Sequence, residues 1–562
     1  MISKSNTQII FILLLSLSSI VIFNIFELYH TSNNYWYLFY SNHSWDEINT
    51  YFIKLYLIDN GNYSFNLDND SYVFISTFFS SIQNFILYKI FGFNFLNLIT
   101  NIFIFFINFY LFYLFLCKIF NISNVQKIYL ACFFTISIGY GPQTYNEIFE
   151  IISLSSTHLL SITRSESPGN SNICFLISLL LFLNKDKNFI ILFFSLIIAF
   201  YSYFYNTLIL FVFFNIVFLL EYIREGFRFN KKLFLSFFLT LFLFLLWCYL
   251  ILQSDQNDYF KNISVKSSPN DLKTLLISLG YISINLLSIK FSNKEITLKN
   301  NSIYLILFQF SFIICYYSNL ITNISLGGED HFYYFSNISY WLTLLNFLMI
   351  IKKNLIKFII VLLPIFTILV FIAQYNYSSS YFLKNKKNIK LQIEYFDSLN
   401  EIKSYLNEQN IIVLDITTIN FFNYYYKIDN QLINYQNTNY SSKERLNLLI
   451  KTCHIMNVAE NLCFELMLKT SGIIKFKNFV NMEHLIFGND LDDNFYDSLT
   501  SEKFHKSELE QKFKFFYREY DNFRDLPNFI IFNNSDYSDL IPMNKDYMKV
   551  FKNNFFTVMK KI

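Results

Sequence analysis

From Gln8 to Ala373 the chain alternates long apolar runs with short connections that carry Lys and Arg. A helix needs about 20 mostly apolar residues to cross a bilayer, and these runs are of that order. The first, Gln8 to Phe26, follows a short N-terminus with one Lys and has no small-residue cleavage site behind it, so it reads as an uncleaved first crossing. Further runs begin near Phe95, Ile128, Ile173, Phe189, Leu208, Leu233, Leu275, Ile303, Ile338 and Phe358. The pattern predicts an α-helical polytopic membrane protein with about eleven transmembrane helices.

Parity orients the chain, because cytoplasmic loops are enriched in Lys and Arg. With the N-terminus in the cytoplasm, the inside loops hold Lys118 and Lys127, then Lys185 and Lys187, then Arg224, Arg228, Lys231 and Lys232, then Lys290, Lys294 and Lys299, then Lys352, Lys353 and Lys357. Counting Tyr72 to Ile90 as a crossing moves all the later basic loops outside, so that segment reads as an interfacial amphipathic helix. Tyr145 to Ile162 contains Glu147, Glu150 and His158, which are costly in hydrocarbon, and is placed at the outer face.

Residues 1–375 therefore form the membrane domain, and the composition changes beyond it. Charges become dense from Lys384 onward, and short strand-like runs, Ile411 to Leu414 and Phe529 to Phe532, are flanked by helical patterns. Residues 376–562 read as a small α/β domain which parity places outside the membrane, with the whole chain in a bacterial plasma (inner) membrane.

Composition agrees with this reading. Of 562 residues, 54% are hydrophobic and 15% charged, whereas soluble domains carry about 25% charge. A soluble enzyme, a disordered chain and a single-span receptor are excluded, and a net charge of +3 gives no reason to expect a nucleic-acid partner. The 71 Phe and 42 Tyr, with abundant Asn, Ile and Lys, have the look of AT-rich codons, so aromatic and Asn-rich stretches are discounted as functional signals. Of the seven cysteines, Cys117, Cys132, Cys174, Cys248 and Cys315 lie in apolar segments as small hydrophobes. Cys453 and Cys463 can pair in an oxidising compartment. If both lie on one continuous helix, however, they are about 15 Å apart, beyond disulfide reach.

Three polar clusters fall on the outer face. The first, Ser41 to Glu47, follows the first crossing and contains Asp46 and Glu47. Adjacent carboxylates point to different sides of regular backbone, so one acts and the other supports it. The plain alternative is a solvated helix start, where acids favour the N-terminal end. The second cluster, Thr163 to Gly169, puts Arg164 on the outer side, where a guanidinium can bind a lipid phosphate bidentately, or can simply pair with Glu166 or cap a helix end. Just upstream, Glu147 and Glu150 lie one helical turn apart and can position an acceptor, hold a divalent cation or only solvate an interfacial helix. The third cluster, Gly327 to His331, offers Glu329, Asp330 and His331 for contact with a donor head group, for a metal site completed by Asp46, or as loop residues.

The order Trp45-Asp46-Glu47, Tyr51, Leu57 to Tyr63 around Gly61, an aromatic stretch ending Lys89-Ile90-Phe91-Gly92 and a clean crossing from Phe95 resembles the first extracytoplasmic loop of the C superfamily of glycosyltransferases (GT-C). That group includes protein O-mannosyltransferases and lipid A aminoarabinose transferases, and the resemblance covers residues 8 to 250 in pattern. It implies an inverting transferase that uses a sugar carried on a polyprenyl phosphate and passes it to an envelope lipid, glycan or protein. Asp46 is then the base and Glu47 its support. Arg164 and His331 bind the donor phosphate, and Glu147, Glu150, Glu329 and Asp330 contact substrate or acceptor. No cofactor is required beyond a divalent cation that the acids can take. The chain lacks the spaced acidic triplet of oligosaccharyltransferases and the long inserted lumenal domain of eukaryotic protein mannosyltransferases. The rival classes are a transporter or flippase of lipid-linked glycans, which needs ionisable groups at mid-membrane depth, and a non-catalytic envelope scaffold.

Overall fold

The structure, a computed structural model, describes residues 4–30, 78–91, 96–138, 145–154, 169–184, 204–225, 272–292, 295–318, 332–351, 353–402, 411–413, 528–533 and 547–562, together with single or few positions between them. Eleven helices are assigned among the described residues: α1 (Lys4–His30), α2 (Phe78–Phe91), α3 (Leu96–Ile119), α4 (Asn124–Ile136), α5 (Tyr145–Ile152), α6 (Ser171–Leu183), α7 (Phe204–Glu225), α8 (Leu272–Phe291), α9 (Ile296–Tyr316), α10 (Tyr333–Ile351) and α11 (Lys353–Ile402). Four strands follow: β1 (Ile411–Val413), β2 (Phe529–Asn533), β3 (Tyr547–Lys552) and β4 (Phe556–Lys561). The chain falls into two compact units, and along α11 the division lies between Ile389 and Lys390.

Six of the described helices are long and apolar enough to cross a membrane: Asn6–His30, Leu98–Ile119, Leu272–Phe291, Ile296–Tyr316, Tyr333–Ile351 and Leu362–Lys387. They correspond to the runs expected from Gln8, Phe95, Leu275, Ile303, Ile338 and Phe358. The expected total of eleven is not reached among the described residues, for a physical reason. The runs near Ile128 and Ile173 become α4 and α6, of 13 residues each, and at 1.5 Å per residue each reaches only about 20 Å of the roughly 30 Å hydrocarbon core. A capping box between Ser123 and Gln126 starts α4, and Ser137 and Asn184 end α4 and α6. The run near Leu208 supplies only a shorter apolar stretch, Leu208–Leu220, inside α7. Those near Phe189 and Leu233 lie largely outside the described residues. α2 has 14 residues, and the first part of the Tyr72 to Ile90 segment lies outside the described residues.

Within the first unit, polar side chains join helices whose outer surfaces are apolar. A seam of hydrogen bonds runs between α8, α9 and α10. Thr274 and Tyr316 both bond to the Tyr333 hydroxyl, at 2.9 and 2.6 Å. Ser278 bonds to Tyr340 at 2.7 Å. Deeper along the seam, Asn285 and Gln309 both donate to Thr343 Oγ1, at 2.9 and 3.1 Å, and Asn346 donates to Ser302 at 2.7 Å. Partner numbers rise together on α8 and α10 and in opposite senses on α9 and α10, so α8 and α10 run parallel with α9 antiparallel to both. In hydrocarbon no water competes for these groups, and each pair fixes the register of its helices.

The second unit holds a four-stranded sheet in the order β1-β2-β4-β3. β1 pairs parallel with β2, and β4 pairs antiparallel with both β2 and β3. The expected strands at Ile411 and Phe529 are β1 and β2. The central β4 is buried from Phe556 to Met559, as expected for a strand covered on both faces. The β3–β4 turn is closed by Asn553, whose Oδ1 accepts from the Phe555 and Phe556 amides at 3.0 and 2.7 Å. Its Nδ2 reaches Glu401 at the end of α11, at 2.9 Å. Cys453 and Cys463 form a disulfide, with Cα atoms 5.8 Å apart. The one-helix geometry that would have kept them apart does not hold, because Ala459 between them is not helical.

Thr343→Val leaves the Asn285 and Gln309 amides without their shared acceptor at unchanged shape. It should lower resistance to unfolding in detergent by about 1–2 kcal/mol, whereas Thr343→Ser should retain most of it. Thermal unfolding of the two variants checks this.

Candidate functional site

Most of the expected site residues, Asp46, Glu47, Arg164, Glu329, Asp330 and His331, lie outside the described residues. Glu147 and Glu150 fall on α5, one turn apart in sequence. Glu150 is half-buried, and its carbonyl accepts a hydrogen bond from Ser153 Oγ at 3.1 Å. Two residues beyond α5, Leu154 has a left-handed φ of 60°, costly for a residue with a Cβ. Asn376 of α11 donates to the Leu154 carbonyl at 3.4 Å. Among the described residues, no three His, Cys, Asp or Glu side chains are grouped to hold a metal ion.

The end of α1 meets the start of α3, and the start of α6 is held farther along α3, by residues that sequence reasoning set aside. Near the end of α1, Glu27 is fully buried and accepts from Asn24 Nδ2 at 3.4 Å. Asn24 Oδ1 in turn accepts from Asn101 Nδ2 of α3 at 2.8 Å. Phe23 packs against Tyr377, Tyr381 and Phe382 of α11, and Tyr381 lies within electrostatic reach of Glu27. A carboxyl group buried here needs such company, because removal from water costs several kcal/mol or more without it.

Two turns along the same face of α3, Asn108 anchors the start of α6. Its Nδ2 donates to the carbonyls of Ile104 (2.9 Å) and Gly169 (3.1 Å), and its Oδ1 accepts from Asn172 Nδ2 at 2.6 Å. Gln83 of α2 donates to Asn170 Oδ1 at 2.7 Å, and Asn206 of α7 donates to the Ser171 carbonyl at 2.9 Å. Gly169, the last residue of the Arg164 segment, is thus pinned by a buried asparagine. Lys118 at the far end of α3 meets Asn184 at the far end of α6, at 3.1 Å, so α6 begins level with the middle of α3.

This start has hydrogen-bonding capacity to spare. Asn170 Nδ2, Asn172 Oδ1 and Asn206 Oδ1 are buried and make no hydrogen bond. No acid lies in the first turn of α6, and Asn170 makes no side-chain cap. One amide donor, two carbonyl acceptors and a positive helix end together suit a hydroxylated or anionic group.

At the opposite end, Asn301 of α9 donates to the Ile119 carbonyl of α3 at 2.8 Å. The other end of α9, with Tyr316 bonded to Tyr333 of α10, therefore lies on the same side as the starts of α3 and α8. α1 ends and α10 begins at that same end. Between α3, α6, α9 and α10 lies an apolar groove lined by Phe115, Phe175, Phe182, Phe308 and Leu342, with Asn301, Tyr304 and Ser339 as its polar members. No Asp, Glu, His, Lys or Arg lines it.

The missed residues left faint signals. Glu27 is the acid that directly follows the first apolar run, and the asparagines recur on one face of α3, but both were masked by the compositional bias toward Asn. Comparison with known proteins returns no match, whether against family models, curated proteins or solved structures.

Asn108→Leu removes the partner of both Gly169 and Asn172 and should cost about 1–3 kcal/mol of stability. Asn215→Leu, which loses only a local bond to the Phe211 carbonyl, should cost less than about 0.5 kcal/mol. Parallel thermal unfolding in detergent separates the two.

Proposed function

We propose that the chain is a multi-pass membrane glycosyltransferase of GT-C type that moves a sugar from a polyprenyl-phosphate donor to an envelope acceptor on the extracytoplasmic face, inverting the anomeric centre. One observation carries the reading: the end of α1, the end of α9 and the start of α10 lie at one end of the first unit, and in sequence the acidic segments with Asp46 and with Glu329 and Asp330 adjoin these ends. Asp46 takes the proton from the acceptor hydroxyl as it attacks the anomeric carbon, and Glu47 supports it. Arg164 and His331 neutralise the departing lipid phosphate. Glu147, Glu150, Glu329 and Asp330 orient acceptor and donor, and any divalent cation is held by these acids. The finer topology, with about eleven crossings and a cytoplasmic N-terminus, puts all three segments outside.

Two further observations favour this reading. In the six long helices, Asp, Glu, Lys and Arg sit at or near the ends, not at the middle where a carrier needs them. The Cys453–Cys463 disulfide suits an oxidising, extracytoplasmic compartment for the second unit. A second reading, a carrier of lipid-linked glycans, is favoured by the buried Asn108, Asn172 and Asn206 side chains around Gly169 and Ser171, polar groups of the kind a carrier uses to line its pathway.

The test is mass spectrometry of polyprenyl-phosphate sugars and envelope glycans from cells holding the wild-type chain, a deletion or Asp46→Asn at equal level. Loss of a general base lowers rates by about 10²–10⁴-fold. Both altered strains should therefore lose one sugar from a glycan while its lipid-linked donor persists. An Asp46→Asn strain that matches wild type beside a defective deletion strain overturns the assignment of Asp46 and supports the carrier.

A further inference from the structure

The lipid-facing side of α11 changes character abruptly. Leu362, Ile365, Ile368, Tyr375 and Leu383 are exposed and apolar, and at about 100° per residue they share one stripe of the helix. Leu363, Thr367, Gln374 and Ser378 are buried and point to the other side, and Phe382, buried at the edge of the stripe, packs on Phe23 and His30 of α1. From Leu362 to Leu383 this face measures about 31 Å at 1.5 Å per residue, close to a hydrocarbon core of about 30 Å, and its one exposed polar member, Asn376, donates to the Leu154 carbonyl. Immediately beyond it come Lys384, Lys386 and Lys387, all exposed, with Lys386 and Lys387 on the lipid-facing half of the helix and Lys384 at its flank. No Asp or Glu occurs on α11 before Glu394.

We propose that Lys384, Lys386 and Lys387 form a binding surface for the phosphates of anionic glycerophospholipids in the leaflet at which α11 emerges. The lysines begin where the apolar stripe ends, so their ammonium groups meet the headgroup layer without leaving the helix. Long Lys stems lie along the acyl boundary and present the charge to phosphate. Three like charges within one turn have no carboxylate on their own helix turn to neutralise them, and phosphate supplies the complement. Tyr375, Tyr377 and Tyr381 one to three turns earlier add the aromatic belt usual at this depth. This surface lies outside the proposed transfer site and is read by lipid binding, so its failure leaves that proposal untouched, and the reverse holds as well.

The test uses the purified full-length chain in uncharged detergent, with phosphatidylglycerol and phosphatidylcholine of identical acyl chains as probes and native mass spectrometry as the readout. Each surface lysine contributes about a fivefold change in affinity for an anionic membrane lipid. The triple Lys384, Lys386, Lys387→Gln chain should therefore bind phosphatidylglycerol at least about tenfold more weakly than wild type, with phosphatidylcholine unchanged. The triple Lys→Arg chain should bind like wild type, and high ionic strength should erase the difference. Equal phosphatidylglycerol binding by the Gln and wild-type chains overturns the proposal, as does equal loss in the Gln and Arg chains. A polyprenyl phosphate that displaces phosphatidylglycerol from the wild-type chain at equimolar level overturns the assignment to phospholipid.

Discussion

Inside a bilayer an amide or hydroxyl group has no water to turn to, and a buried one that finds a partner on another part of the chain avoids a cost of several kcal/mol. The first unit is organised by that constraint. Lipid is as apolar as the Phe, Leu and Ile side chains that fill the helices, so burying those side chains against one another gives little preference for one arrangement. Thr343 receiving both Asn285 and Gln309, or Asn108 bridging Gly169 and Asn172, does give one. The apolar residues supply bulk and dispersion contacts, and the scattered polar residues supply register and direction.

The same bonds carry the structure toward function. Asn24 with Asn101, Asn108 with Gly169, and Tyr316 with Tyr333 each secure a helix end from which a polar segment extends. A transferase that works on a lipid-borne donor needs its acid, base and phosphate-binding groups on loops carried by ends that do not drift. The buried Glu27 belongs to this frame. Its carboxyl lies in the same cluster that ties α1 to α3, close to where the Asp46 segment begins.

Much of the architecture was legible because uninterrupted apolar runs of about 20 residues leave few alternatives. The runs from Gln8, Phe95, Leu275, Ile303, Ile338 and Phe358 became long helices for that reason, and the Ile411 and Phe529 runs became strands. The runs near Ile128 and Ile173 correspond to helices of 13 residues among the described residues, and hydropathy does not separate a short helix from apolar residues flanking it. The hairpin of β3 and β4 went unseen: Tyr547 to Lys552 alternates irregularly and carries a bulge between Lys549 and Phe551. Its turn depends on one asparagine side chain. The Cys453–Cys463 bridge depended on a helix break at Ala459 that no breaker residue announces. The site was least legible, since the asparagines that frame it were indistinguishable in sequence from the many that an AT-rich composition scatters through the chain.

The central claim is that the first unit crosses a membrane with the polar helix ends on the extracytoplasmic side. Side-specific thiol labelling tests it most directly, with Lys387→Cys at the outer end of α11 and Lys290→Cys at the inner end of α8, each compared with the unsubstituted chain in intact and in permeabilised cells. The account predicts that a membrane-impermeant maleimide labels Lys387→Cys in intact cells and Lys290→Cys only after permeabilisation. Labelling of both from the same side, or the reverse pattern, contradicts it.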